Sequence, residues 1–307
     1  MKIDKNFKIF ASWLFIVILF LLLLIVLFFA PITTTFNVAV NTERIQYTTL
    51  DKNNSRIILM DAEVASLDNI LVSNFEGNIE LNSNVKVTIE RISNGPISII
   101  LENELGESVG KIYNGDNGEL FHEAADFLDI YIYDVAKKTE AGQTFIFSIE
   151  GDVNIGRSVN YEIFGESTAL LRDGEIKMIG KSFFSNDNFE AGSVLLNLGD
   201  RLVFDDIQSK TFGFVTINEN PCMKAAYRIA SKQARVIKPG PQNEDNGYII
   251  SASSLNMLLN DRNTQGIIVL FAALIGLTTL LNGLVDSAKN IKNILIRIKN
   301  ILNKNEK

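Results

Sequence analysis

Two uninterrupted apolar runs, one near each end of the chain, constrain this sequence more than any other feature. Residues 10 to 30 hold 21 uncharged side chains with Ser12 as the one polar group, and residues 266 to 285 hold 20, interrupted by Thr278, Thr279 and Asn282. At about 1.5 Å of rise per residue, each is long enough to cross a hydrocarbon core roughly 30 Å thick. The expectation is two transmembrane helices. A cleaved leader carries an apolar core of about 7 to 15 residues followed by a small-x-small site. The first run is longer and ends Phe28-Phe29-Ala30-Pro31, so it reads as an uncleaved anchor.

Charge divides the chain at the same places. Lys2, Lys5 and Lys8 face only Asp4 in the first nine residues, and the last 22 hold six basic residues against Asp286 and Glu306. The middle, residues 31 to 265, is left with 20 basic and 33 acidic residues, a net charge of −13. Basic residues in short tails stay in the cytoplasm, so the expected topology has both termini cytoplasmic and residues 31–265 outside, in a periplasm or at the cell exterior. A field this acidic repels phosphate backbones, which argues against a nucleic-acid partner. Cys222 is the only cysteine, so no internal disulfide can form, and the external region reads as bacterial.

Between the anchors the apolar period is two. Val85, Val87 and Ile89 alternate with Lys86, Thr88 and Glu90, and Leu128, Ile130 and Ile132 with Asp129, Tyr131 and Tyr133. This is the pattern of half-buried antiparallel strands. Turn chemistry separates such runs at Asn94-Gly95-Pro96, Asn114 to Gly118, Asp173-Gly174 and Leu198-Gly199-Asp200. The expected fold is a mainly β ectodomain of antiparallel sandwich or jelly-roll type between two transmembrane α-helices, followed by a C-terminal amphipathic helix. The expected order is a basic tail (1–9), a first span (10–30), a β-sandwich domain (31–165), a smaller β domain (166–238) opening with two hairpins, a linker (239–265), a second span (266–285) and a basic cytoplasmic helix (286–307).

The second span and the tail carry the clearest partner signals. Ala272, Gly276, Thr279 and Gly283 recur on one helical face, where another backbone approaches closely. That face suits packing on the first span or self-association. Thr278, Asn282 and Asp286 are the polar groups available to line a pore or to bond between helices. In the tail, Ile291, Ile294, Leu295, Ile298 and Ile301 share a face opposite Lys289, Lys292 and Lys299, which suits an anionic membrane surface or a partner helix.

Catalytic signals are sparse. Gly174 to Ser182 resembles a phosphate loop, but five residues separate its glycines where four are needed, and it alternates like a strand. His122-Glu123-Ala124-Ala125-Asp126 matches the core of zinc proteases with Asp in the second ligand position. On a helix His122 and Asp126 would share a face, with Glu123 placed to activate metal-bound water. His122 is the only histidine, so any Ser-His-Asp or Cys-His arrangement must use it. Asp51 to Ser55 begins like a calcium loop but has Arg56 in place of the required glycine. Acidic loops at Asn114 to Asn117 and Ser185 to Asn188 supply oxygen ligands of the kind that bind Ca²⁺. No other cofactor is expected.

Together these features predict a membrane-anchored, non-catalytic scaffold or binding subunit of a bacterial envelope complex. A homo-oligomeric two-span effector or channel subunit is the alternative, and a metal-dependent hydrolase centred on His122 is the third reading.

Overall fold

The computed structural model describes residues 15–22, 25, 28–50, 56–66, 69–116, 118–150, 152–157, 169–182, 185, 187–205, 212–218, 220–239, 247–280 and 283. Nineteen strands dominate it, all paired antiparallel, with few helices. They run β1 (Pro31–Ile32), β2 (Thr34–Thr42), β3 (Arg44–Thr48), β4 (Arg56–Ser66), β5 (Asn69–Leu81), β6 (Lys86–Glu90), β7 (Ile97–Glu102), β8 (Gly110–Asn114), β9 (Leu120–Glu123) and β10 (Phe127–Ile132). A short helix α1 (Val135–Glu140) precedes β11 (Phe145–Glu150), β12 (Asp152–Ile155), β13 (Leu171–Lys181), β14 (Asn188–Leu196), β15 (Arg201–Asp205), β16 (Phe212–Ile217), β17 (Met223–Ser231), β18 (Gln233–Ile237) and β19 (Gly247–Ser253). Helices α2 (Ser254–Asn260) and α3 (Arg262–Leu280) follow.

The strands form two sheets. One has thirteen strands in the order β1-β19-β18-β15-β12-β3-β6-β7-β10-β4-β5-β8-β9, the other six in the order β11-β16-β17-β2-β13-β14. Register explains the stability of the larger sheet. Val236, Leu202, Ile155, Ile45, Ile89, Ile99, Ile130 and Val64 are paired in turn across eight adjacent strands. All eight are completely buried. A slip of one residue in any of these strands would turn its apolar set to the wrong face. Phe36 of β2 and Tyr227 of β17 meet Phe204 of β15 at ring separations of 5.6 and 6.1 Å, so the six-stranded sheet lies face to face with the larger one.

The chain passes from sheet to sheet at corners. β2 leads into β3 through Glu43, and β17 leads into β18 through Lys232. Both corners use one device: the Thr42 hydroxyl donates to the Arg44 carbonyl and accepts from its amide, and the Ser231 hydroxyl does the same with Gln233. Thr42 and Ser231 are fully buried, so the hydroxyl replaces the ladder bonds that a turning strand gives up.

Several sequence expectations meet a different structure. Asp173-Gly174 is not a turn but lies inside β13. A Cβ on Gly174 would sit 2.5 Å from Val40 Cγ1 and 2.7 Å from the Ala39 carbonyl, beside a register shift between Leu171 and Asp173. The glycine serves close strand approach at a bulge. The Leu198 to Asp200 turn, with Gly199 at φ +81°, joins β14 to β15 in the other sheet and makes no hairpin. Strands from both sides of residue 165 share both sheets, as β2 does with β13 and β17 and β12 does with β15, and all belong to one apolar core. The sheets do not divide there. The segment read as a linker contains β19, paired to β18 and β1, and all of α2.

Among the described residues one helix, α3, is long and apolar enough to cross a membrane. Of the first apolar run, residues 15–22, 25 and 28–30 are described, and all of these but Ala30 are helical.

Candidate functional site

The place where the β-rich body meets α3 is built with unusual care. α2 starts with an N-cap, Ser253 Oγ accepting from the Asn256 amide at 3.2 Å. Gly180 leaves room for the Met257 side chain against the sheet: a Cβ there would meet the Met257 sulfur and Phe189 Cζ, each at 2.6 Å. Asp261 then breaks the helix in extended conformation and caps the next one, its Oδ1 accepting from the Asn263 amide at 3.1 Å. Its charge sits at the positive end of α3, where it is favoured. Asp261 is 3% exposed, and it also accepts from the Ser182 hydroxyl at 2.9 and 3.0 Å and from Thr264 Oγ1 at 2.8 Å. One buried carboxylate thus ties the first turn of α3 to the end of β13.

Beside this node lies a cavity of about 660 Å³. Its floor is the outer face of the six-stranded sheet, where Ala230, Thr35 and Ile179 stand in one row across β17, β2 and β13. Met257 and Leu258 of α2 cover it, and Phe28 and Ile32 close one side. Thr34 Oγ1 donates to the Ile179 carbonyl, so that polar group is already engaged.

A second, polar cavity of about 520 Å³ lies by the β2–β3 corner, lined by Asn41, Ser93, Arg172, Asp173, Cys222 and Lys224 among others. Glu43, 1% exposed, accepts from the Ser93 amide at 3.1 Å, the Leu170 amide at 3.1 Å and Arg172 Nη2 at 2.6 Å. Burial alone raises a carboxyl's pKa, but Arg172 and the two amides outweigh it and hold Glu43 below its ordinary value. Arg91, also 1% exposed, donates through Nη1 to the carbonyls of Asn218, Asn220 and Cys222. The Cys222 amide donates to Ser93 O, and Ser93 and Cys222 both adopt positive φ, at 52° and 70°. Burial first, then the charge of Glu43, push the Cys222 thiol up. The thiolate needed for nucleophilic chemistry is therefore disfavoured.

The residues singled out from sequence fall in four places. Ala272, Gly276 and Thr279 are exposed on α3, and nothing outside the helix lies within 4 Å of a Cβ built on Gly276 or Gly283. The hydroxyls of Thr278 and Thr279 both donate to the Ile275 carbonyl at 2.8 Å, so each is engaged within the helix. Asn282, Asp286, Lys289, Lys292 and Lys299 lie outside the described residues, as does the Asp51 to Ser55 segment. His122 and Glu123 belong to β9, an exposed edge strand. Neighbours on a strand point to opposite faces, and Asp126 lies beyond it, so the helical geometry that would gather these three residues is absent. Among the described residues no group of three His, Cys, Asp or Glu side chains is placed to hold a metal ion.

In the acidic loops some of the oxygens bond within the loop, and Ser185 Oγ also accepts from Asn263 Nδ2 at 3.0 Å. Asn114 Oδ1 accepts from the Asp116 amide, and Ser185 Oγ donates to Asp187. Sequence reasoning found neither cavity. Ser182 and Asp261 are 79 positions apart, and Glu43, Arg91 and Arg172 form no motif. The lone Cys222 was the one visible marker of the second site. No known protein family matches the chain, and no curated protein matches it in sequence.

Proposed function

We propose that the protein is a membrane-anchored, non-catalytic binding or scaffold subunit of a bacterial envelope assembly. In this reading residues 10–30 and 266–285 both span, the two tails are cytoplasmic, and the β-rich region lies outside. The observation that carries it is α3: a nineteen-residue apolar helix with almost none of its surface buried, leaving the β body from a capped and buried carboxylate. An exposed apolar helix of that length is costly in water and stable in lipid.

A partner has two surfaces to use. One is the uncovered small-residue face of α3 at Ala272, Gly276 and Thr279, which permits close helix packing. The other is the outer face of the six-stranded sheet, where Phe212 and Phe214 are 59% and 49% exposed beside Ala226, Ala39 and Gly213. Aromatic side chains are enriched at the centres of interfaces.

The test is the native mass of the full-length protein in lipid nanodiscs, with co-purifying chains identified. A defined hetero-complex supports the scaffold reading. A clean monomer overturns it, and a symmetric homo-oligomer moves the effector or channel reading ahead.

A further inference from the structure

We propose that the cavity beneath α2 holds one acyl chain of a membrane phospholipid, whose phosphate is met by Lys181. This rests on the reading of α3 as a membrane anchor and names a ligand for the place where that anchor joins the β body.

Three observations select a lipid over other occupants. The cavity, at about 660 Å³, falls within the roughly 300 to 1,000 Å³ of ligand sites, and Ile179 and Ala230 flank Thr35 on its floor beneath Met257 and Leu258. Two of the polar groups that line it are engaged elsewhere, Thr34 Oγ1 with the Ile179 carbonyl and the Asp261 carboxylate with Ser182, Asn263 and Thr264, and the hydroxyls of Thr33, Thr35 and Ser254 interrupt a lining that is mostly apolar. Most of that lining offers water no partner, whereas a hydrocarbon chain needs none.

The cavity also has a fixed depth relative to the anchor. Asp261 lines it and caps the first turn of α3, and Phe28 closes it from the last residues of the first apolar run. Both apolar runs therefore meet the β body at this cavity, at the level where the headgroups of the facing leaflet lie. A chain bent out of that leaflet reaches it without leaving apolar surroundings.

Charge completes the match. Lys181 is exposed, follows Gly180 at the end of β13 and lines the same cavity, so an ammonium stands where an apolar tail would give way to its phosphate.

The experiment uses the full-length protein extracted in dodecyl maltoside, washed, and titrated with palmitoyl-oleoyl phosphatidylglycerol under native mass spectrometry. Wild type is expected to keep one phospholipid through extraction and to rebind one on titration. Ala230→Phe, which fills the floor, is expected to lose it, while Ala226→Phe, on the same face of β17 but outside the cavity, keeps it. Leu258→Trp, entering from the α2 side, repeats the loss should Ala230→Phe fold poorly. Lys181→Glu is expected to weaken retention of this anionic lipid.

Equal lipid occupancy in Ala230→Phe and Ala226→Phe overturns the proposal, and so does a wild type that carries only detergent or a peptide mass. An alkaline wash of the membranes separates the two claims. Release of the protein refutes the anchor, whereas a protein that stays in the membrane without bound lipid refutes the site alone.

Discussion

Arg172→Ala should cost stability at neutral pH and lose much of that cost in acid. In the wild type the Glu43 carboxylate, 1% exposed, is held by two amides and by Arg172 Nη2 at 2.6 Å. Arg172 itself is 42% exposed, so its own return to water is inexpensive and the loss falls on Glu43. Removing one partner of a buried pair costs about 3 to 5 kcal/mol. The two remaining amide bonds and the open side of the pair place this case below that range, at about 2 to 3 kcal/mol. The sign of the pH effect follows from the depressed pKa of Glu43. A depressed carboxyl contributes stability above its unfolded value, near 4.3, and loses it as pH falls through the folded value. Without Arg172 the folded value moves up, so the variant takes up its proton first and the gap between the two proteins narrows on acidification. Urea midpoints of the full-length protein in detergent, followed by far-UV circular dichroism at about pH 7 and about pH 4, measure that gap. Ile89→Ala, which opens a cavity in the fully buried row at about 2 to 5 kcal/mol, serves as the control whose cost does not depend on this carboxyl. An Arg172→Ala cost that is equal at both pH values refutes the argument that Arg172 neutralises Glu43.

Cys222, 7% exposed with its thiol raised, should react slowly with a maleimide in the folded protein and quickly after Glu43→Ala, which strands the Ser93 and Leu170 amides; equal rates would show that the corner does not shield the thiol. Gly174→Ala should cost about 1 to 3 kcal/mol by overpacking against Val40 and the Ala39 carbonyl, and a neutral urea midpoint would refute the close approach. Asp261→Ala removes the cap of α3 and the tie to Ser182, a loss of about 0.5 to 2 kcal/mol for the cap alone. Hydrogen exchange at Asn263 and Thr264 should accelerate while β17 stays protected, and unchanged exchange at both would contradict the capping role.

The β character was legible because alternation is a local signal. Leu128, Ile130 and Ile132 face the core in β10, and Val87 and Ile89 do so in β6, as their spacing predicts. Pairing partners were not legible, since register depends on residues far apart in sequence. β2 takes β13 and β17 as neighbours across more than a hundred positions. The Asp173-Gly174 signal misled for a related reason: glycine marks both a turn and a place where a neighbouring strand leaves no room for a Cβ, and only the position of Val40 separates the two. The segment after residue 246 was read as a linker because Pro239 and Pro241 and their polar neighbours stand just before it, although Ile250 and Ala252 carry the alternation of a strand and are buried in one.

The candidate sites were hidden more deeply, and their chemistry explains why. A catalytic motif is compact in sequence when a loop or one helix face must present several groups together, which is why His122 to Asp126 drew attention. The groups that matter here sit at joints instead. Glu43 occupies the corner between two sheets, and Asp261 the break between two helices. At a joint the backbone loses its ladder or helical partners, and a buried carboxylate restores them by accepting from amides that the turning chain leaves unpaired. Each such carboxylate then needs a donor from a distant element, Arg172 for Glu43 and Ser182 for Asp261. An isolated acidic residue in an acidic chain gives no sequence signal of that role. The same logic puts the cavities where they are: a sheet corner and a helix junction are the places where regular packing stops, and space left there is lined by whichever side chains the joint does not use.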